Sequence, residues 1–132
     1  MVPLILSHIK IIFILGGMTE PMRDPSFWVL TALAPEPRHG YGVIREVNRL
    51  SDGQVTLQAG TLYAALDRLT SLGLIEADRE ETVDGRPRRY YRLTTDGAAA
   101  LDAETERRRA AVAAATAQLS ARRRLGLSLS TS

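Results

Sequence analysis

Apolar residues recur three and four positions apart in three successive segments of the chain, which predicts three amphipathic helices. The first segment reads DPSFWVLTALA, and Asp24 or Ser26 can cap it. The second reads GYGVIREVNRLS. The third reads AGTLYAALDRLTSLG, where Gly73 stands in the position of a helix-ending glycine. The residues expected to face the core are Phe27, Val29, Leu30, Leu33 and Ala34 in the first segment, Val43, Ile44, Val47 and Leu50 in the second, and Leu62, Ala65, Leu66, Leu69 and Leu72 in the third.

The segment between the first two helices, APEPRHG, is rich in residues that interrupt a helix. Its prolines end the first helix, because a residue that precedes proline is disfavoured in the α-helical region. Gly40 and Gly42 then let the second helix begin close to its neighbours, with Tyr41 packed beneath or beside the third helix. His39 is expected to cap the second helix or to hydrogen-bond locally rather than to contact phosphate.

Two strand-like runs follow the third helix, at residues 74–79 and 88–93. Both are rich in β-branched, aromatic and apolar side chains, and the dipeptide DG between them is a strong signal for a hairpin turn. Adjacent side chains of a strand point to opposite faces of the sheet. One of Tyr90 and Tyr91 should therefore pack on the core while the other faces outward.

Residues 94–124 predict one long fourth helix, which Thr94 or Thr95 can cap. Its residues form a heptad-like row that a second copy of the chain could cover, although Thr105 and Arg108 weaken this row. The row consists of Leu101, Thr105, Arg108, Val112, Ala115 and Leu119. The residues expected at a dimer interface are Phe27, Trp28, Leu101, Val112 and Leu119.

Residues 1–22 form an apolar extension that contains His8 and Lys10. Its apolar run is shorter than the roughly 20 residues that a membrane span needs, and it lacks the basic start of a signal peptide. We expect it to lie outside the fold, with the working protein beginning near Met18. The alternative is that residues 3–15 anchor the chain to a membrane or to a partner. At the other end, residues 125–132 predict a disordered tail.

Composition excludes several classes of chemistry. The chain has no cysteine and only two histidines, which excludes disulfides and argues against a zinc site. Its only lysine lies in the apolar extension, so no phosphate-binding loop with a lysine is present, and neither histidine stands at a recognised catalytic spacing. We therefore expect no enzymatic activity, no metal and no cofactor. The net charge is only +2, but sixteen of the seventeen basic residues are arginine, the side chain best suited to phosphate and base-edge contacts.

Three short helices followed by a hairpin predict a winged helix-turn-helix, a mainly α fold with a small β-hairpin, over residues 23–93. Residues 94–124 would then be a C-terminal dimerisation helix. In this fold the third helix enters the major groove, and a basic wing reaches the DNA backbone or the minor groove. Asp67 is out of place on such a surface and is expected to pair with Arg68, Arg45 or another neighbouring basic group. The residues expected to contact DNA are Thr61, Tyr63, Ala64 and Arg68 on the helix and Arg86, Arg88 and Arg89 on the wing.

Three stretches of the chain, HGYGVIREV, GTLYAALDRLTSLGLIE and GRPRRYYRLTTDGAAAL, resemble the signature blocks of PadR-like transcriptional regulators over residues 26–101. The resemblance implies a cytoplasmic, dimeric bacterial repressor that binds a palindromic operator. It also implies release when a small, often aromatic or cationic, effector binds, and no stable membrane association. The fourth helix resembles that of the smaller subgroup of the family. Two alternatives remain open: a winged-helix module that binds proteins without reading DNA, and a membrane-tethered regulator.

Overall fold

The computed structural model of the chain describes residues 22–127. Of the predicted extension at residues 1–22 only Met22 lies within the described residues, and of the predicted tail at residues 125–132 only residues 125–127 do. The elements in chain order are α1 (Asp24–Leu33), β1 (Arg38–His39), α2 (Gly40–Leu50), α3 (Ala59–Ser71), β2 (Ile75–Val83), β3 (Arg86–Leu93) and α4 (Thr95–Arg124). The predicted mainly α fold, with three helices, a hairpin and a long fourth helix, is confirmed. Among these helices, none has the length and apolar character that a membrane crossing requires.

The sheet has three antiparallel strands in the order β1-β3-β2, one strand more than the predicted hairpin. The extra strand is β1, in which Arg38 pairs with Tyr91 and His39 pairs with Tyr90. A strand of two residues is too short to show an alternating pattern, so it could not be predicted from the sequence. It joins the start of α2 to the wing, the β2–β3 hairpin.

The wing is longer than predicted, because pairing continues from Glu80 to Val83 opposite Arg89 to Arg86. The turn itself is as expected: Asp84 and Gly85 have φ angles of 52° and 76°. Positive φ at both central residues matches the right-handed twist of a hairpin and favours an Asp-Gly pair. The polar strand ends were not recognisable in the sequence because neither face of this part of the wing is buried.

The core forms where the apolar stripes of α1, α2 and α3 meet the base of the wing. Burial of each large aliphatic side chain stabilises the fold by about 1.5–3 kcal/mol. Leu50 is exposed at the end of α2 and Ala34 is exposed just after α1, so the predicted place of both in the core is wrong. Trp28 and Tyr91 are half-buried and pack against the core, while Tyr90 faces the outer side of the wing. The largest fully buried residues are Val29, Leu30, Leu33, Val43, Val47, Leu62, Leu66, Leu69 and Ile75.

Side chains cap two of the helices. His39 caps α2 by accepting a hydrogen bond from the Gly42 amide at Nδ1, over 3.1 Å. Thr94 caps α4 by accepting from the Gly97 amide over 3.0 Å, and its hydroxyl donates to the Gly73 carbonyl over 2.7 Å. No side chain caps α1 within residues 22–127, so the prediction for Asp24 or Ser26 is wrong.

The first half of α4, residues 94–109, packs on the three-helix domain, and we call it the α4 root. Gly97 lies so close to the turn between α3 and β2 that a β-carbon there would sit 1.9 Å from the Leu74 carbonyl oxygen. Ala100 and Glu104 are buried and Leu101 is half-buried against the core. Every residue from 110 to 119 is exposed, and we call this stretch the α4 arm.

Candidate nucleic-acid interface

The outer face of α3 carries the four residues that the sequence assigned to it. Because Leu62, Leu66 and Leu69 are buried, the remaining positions of the helix turn outward. Thr61, Ala64 and Arg68 are all exposed there, and the fourth, Tyr63, is 53% exposed. The face is therefore small and polar enough to enter a groove.

Tyr63, rather than Tyr41, occupies the contact between α3 and the start of α2. A β-carbon at Gly40 would lie 3.0 Å from the Tyr63 hydroxyl and 3.3 Å from Leu62, so the glycine permits this close approach. Tyr41 is 63% exposed, and the prediction that it packs beneath or beside α3 is wrong. The Arg45 guanidinium lies 6.0 Å from the centre of the Tyr41 ring, so both belong to the outer surface.

Asp67 is exposed on the same face of α3. Within residues 22–127 it forms no ion pair, so the predicted pairing with Arg68, Arg45 or another neighbouring basic group is absent from this part of the structure. Its carboxylate would repel phosphate, but it can accept a hydrogen bond from the exocyclic amine of a cytosine. This chemistry makes Asp67 a candidate for base contact that the sequence analysis did not assign.

The wing is electrically balanced, contrary to the predicted basic wing. Its arginines alone suggested a positive hairpin, but four carboxylates of β2 and that of Asp84 in the turn equal them in number. The wing contains five arginines, Arg79, Arg86, Arg88, Arg89 and Arg92, and five acidic residues, Glu76, Asp78, Glu80, Glu81 and Asp84.

Ion pairs neutralise the base of the wing. The Arg92 guanidinium lies 2.6 Å from Glu76 and 3.6 Å from Asp78. Arg79 lies 3.4 Å from Asp78 and 3.7 Å from Glu81. These two arginines are therefore engaged within the wing and are poor candidates for phosphate contact.

The arginines at the tip of the wing are not held in ion pairs within the described residues. Arg86, Arg88 and Arg89 are exposed and form no ion pair with a residue of the described range 22–127. Arg88 lies opposite Glu81 in the ladder, but the Glu81 carboxylate accepts a hydrogen bond from the Tyr90 hydroxyl over 2.8 Å. We call Arg86, Arg88 and Arg89 the wing tip; they are the three wing residues that the sequence assigned to DNA.

His39 links the wing tip to α2. Its Nε2 lies 3.5 Å from Arg88 Nη1, and its ring meets the Tyr90 ring edge-on at 5.3 Å. Because Nδ1 accepts from Gly42, the neutral ring carries its proton on Nε2, facing Arg88. Burial first, and then the Arg88 guanidinium, hold the pKa of His39 below its ordinary value, against the opposing effect of Glu81. A neutral imidazole preserves the cap and adds no charge beside Arg88.

A cleft of about 480 Å³ separates α3 from the wing. Tyr63 lines it from α3, Gly40 and Tyr41 line it from the start of α2, and Arg88 and Arg89 line it from the wing. Tyr63, Arg88 and Arg89 therefore face one shared concave surface, which the carboxylate of Glu80 also lines, whereas the other assigned residues, Thr61, Ala64, Arg68 and Arg86, lie outside it. Within residues 22–127, no group of three or more His, Asp or Glu side chains is placed to hold a metal ion.

The sequence profile of the Transcriptional regulator PadR-like family matches residues 29–103, which is more than half of the chain. The chain belongs to the PadR-like family. A curated relative, Transcriptional regulator Rv3488 of Mycobacterium tuberculosis, is 40% identical over 82 residues, which are 62% of this chain and 70% of the relative. The region that the family profile matches, residues 29–103, contains both α3 and the wing, and it ends before the α4 arm.

Solved PadR structures share this fold. A PadR family transcription regulator from Clostridium difficile R20291 superposes with a TM-score of 0.63 at 23% identity, covering 74% of this chain and 99% of that one. Bacillus subtilis PadR, solved in complex with operator DNA, superposes with a TM-score of 0.55 at 23% identity. That match covers 62% of this chain and 46% of the B. subtilis chain. The likeness establishes the PadR winged-helix fold for this chain.

Sequence reasoning missed the role of two residues of the α4 root, Glu104 and Arg108. Arg108 was expected to weaken a dimer row, but it forms a hydrogen bond with buried Glu104 over 2.9 Å. The spacing of four residues between an acid and an arginine on a helix was the available signal. What it could not show is that both side chains turn toward α1.

Proposed function

We propose that this PadR-like regulator binds double-stranded DNA, with the outer face of α3 in the major groove and the wing tip on the phosphate backbone. One observation carries the proposal: the wing-tip arginines lack carboxylate partners within the described residues, and two of them share a cleft with Tyr63. A guanidinium that is not held by a carboxylate is free to form bidentate contacts with phosphate. A protein of the same fold, Bacillus subtilis PadR, was solved in complex with operator DNA, which supports DNA as the partner.

Each exposed residue of α3 has a proposed role. Thr61 and Arg68 donate hydrogen bonds to phosphate, and Tyr63 donates to phosphate or to a base edge. Ala64 leaves room for close approach to the groove. Asp67 accepts from a cytosine amine, which would make it a determinant of operator sequence.

The proposed active species is a homodimer joined through the α4 arm. Val112 is 65% exposed and Leu119 is 45% exposed, and alanines surround them. Leu101, Phe27 and Trp28, also expected at the interface, are half-buried within their own chain. They can add only their exposed edges, so Val112 and Leu119 form the centre of the proposed contact. Two α3 helices about 34 Å apart would then reach successive major grooves of a palindromic operator.

We further propose that the dimer is a repressor that a small-molecule effector releases. A two-site fit to DNA tolerates little change in the separation of the sites, so a ligand that alters the separation of the two domains would lower affinity. A transcription assay from a bound promoter distinguishes this role from activation: added protein should reduce transcript yield.

Selection from a library of random duplexes tests DNA binding without a known operator. Wild-type protein should enrich a two-fold symmetric sequence. Its affinity for that sequence should fall by about 10⁴ between 50 and 200 mM salt, because six wing-tip contacts and two Arg68 contacts per dimer release counterions. Light scattering should give twice the mass of one chain. Failure to retain any duplex at low salt would overturn the DNA-binding proposal.

Two alternatives to a DNA-binding repressor, a module that binds proteins and a membrane-tethered form, can be tested separately. The balanced charge of the wing and the carboxylate of Asp67 favour a module that binds proteins, and that reading gains if the selection enriches nothing. A membrane-tethered form would depend on residues 3–15, which lie outside the described residues. Fractionation of the full chain beside a chain that begins at Met18 tests it: only the full chain should then sediment with membranes.

A further inference from the structure

The α4 root contains a cluster of polar contacts that connects α4 to the start of α1. We propose that Arg108 is a positioning residue: it fixes the direction of the α4 arm relative to the DNA-binding domain, and thereby sets the separation of the two domains in the dimer. This inference rests on the proposed dimer and its DNA binding.

Arg108 contacts four groups, which belong to α4, to α1 and to the segment just before α1. Its Nε donates to Glu104 Oε2 over 2.9 Å, and its Nη2 lies 3.0 Å from Asp24 Oδ1 and 3.3 Å from the Met22 carbonyl. Its guanidinium carbon lies 3.8 Å from the centre of the Phe27 ring. Burial alone would lower the pKa of Arg108, but the hydrogen bonds to Glu104 and Asp24 raise it overall. The guanidinium thus remains charged at any ordinary pH.

Glu104 restricts the side chains of this cluster to few arrangements. It is only 5% exposed, and its Oε1 accepts the Met22 amide over 3.1 Å. Arg107 approaches the same oxygen at 3.6 Å. A buried carboxylate with fixed donors tolerates few other arrangements, because each lost donor would leave buried charge unpaired.

The α4 root is attached to the rest of the domain at two points, and two attachment points fix the direction of a straight helix. The first is Gly97, which touches the Leu74 carbonyl, and the second is Arg108. They lie 11 residues apart, or about 17 Å along the helix. Removal of the second contact should leave the first in place, so that α4 remains attached but its direction is less restricted.

A small change in the direction of α4 at Arg108 produces a larger displacement at the far end of the α4 arm. Residues 110–119 are all exposed, so the contacts of the root determine where the arm points. Leu119 lies about 17 Å beyond Arg108, so a tilt of about 12° moves it by about 3.4 Å. That displacement equals the rise of one base pair along a strand. A small change at Arg108 therefore matters for a two-site fit.

The test measures how strongly binding depends on the spacing between half-sites. Duplexes carry the sequence selected by the wild-type protein, with no insertion or with one added base pair at the centre. Wild-type affinity should fall by about 10² on insertion, because both half-sites can no longer be engaged together. Arg108→Ala should bind the original duplex more weakly and lose less than about threefold on insertion.

Control experiments test the positioning role of Arg108 separately from the proposed dimer and its DNA binding. Arg109→Ala removes a neighbouring arginine whose partner, Glu106, is exposed, and it should keep the wild-type spacing dependence. A duplex with a single half-site should bind Arg108→Ala and wild type equally. Light scattering and circular dichroism confirm that the variant is a folded dimer; should Arg108→Ala unfold, Arg108→Lys provides the same comparison.

Three results have distinct meanings. A wild-type monomer, or a wild-type protein that enriches no duplex, would overturn the proposed function. A folded Arg108→Ala dimer with the full wild-type spacing dependence would overturn the positioning role of Arg108 and leave the proposed function intact. A wild-type dimer that binds both spacings equally would also overturn it, since its domains are then not held at a fixed separation.

Discussion

Arginine has opposite roles at the wing tip and at the α4 root. Arg88 and Arg89 are exposed and form no ion pair within residues 22–127, whereas Arg108 is held by Glu104 and Asp24. The difference is not in the side chain but in the carboxylates that the fold brings near it. At the wing tip the Glu81 carboxylate bonds to Tyr90, which leaves Arg88 available to another anion. Substitutions in the two regions should therefore separate binding from stability.

The largest effect on stability is expected at Gly97 in the α4 root. In Gly97→Ala the new methyl group would meet the Leu74 carbonyl oxygen at 1.9 Å, so α4 has to shift away from the core. We expect a loss of about 3 kcal/mol in the free energy of unfolding, measured by urea titration. Gly60→Ala is the matched control, because nothing lies within 4 Å of its added methyl. An equal loss in both variants would contradict the contact at Leu74.

The largest effect on binding is expected at the wing tip. Arg88→Ala/Arg89→Ala removes two phosphate contacts from each protomer, so the slope of log affinity against log salt should decrease by about four. Its free energy of unfolding should stay within about 0.5 kcal/mol of wild type, because both side chains are exposed. Arg92→Ala is the control: its guanidinium is paired with Glu76, so DNA affinity should hardly change. Unchanged operator binding by the double variant would refute the wing assignment.

A smaller effect on stability is expected at the cap of α4. Thr94→Ala removes the acceptor of the Gly97 amide and the donor to the Gly73 carbonyl, which should lower the free energy of unfolding by about 1 kcal/mol. Thr95→Ala, one residue along and exposed, should change it by less than about 0.5 kcal/mol. Thermal melting compares the two, and a smaller loss for Thr94→Ala than for Thr95→Ala would argue against the cap.

The smallest effect is expected from the titration of His39, between α2 and the wing tip. Its pKa is lowered in the folded chain, so the unfolded chain binds the proton at a higher pH. Stability should therefore be constant well above the ordinary imidazole pKa of about 6.5 and decrease as the pH falls below it. Urea midpoints above and below this value measure the change. In His39→Asn, which keeps a capping side chain, the decrease should be smaller; an equal decrease would assign it to other groups.

The sequence alone determined the features that depend on local spacing. Periodicity identified α1, α2 and α3, because a helix that buries one face must repeat its apolar residues every three or four positions. The helix end at Gly73 and the hairpin turn at Asp84-Gly85 could also be predicted, because positive φ angles restrict which residues can stand there. The exposure of Tyr63 and Arg68 could be predicted because the apolar residues of α3 occupy the opposite side of the helix.

Only the tertiary structure decided which polar side chains have partners. Arg108 meets Asp24 across 84 positions of sequence, and Arg88 lies beside His39 across 49. The same holds for β1, which is a strand only because β3 lies next to it. The physical reason is range: a helical or turn preference acts between near neighbours in the chain, whereas an ion pair depends on distances that exist only after the elements have packed.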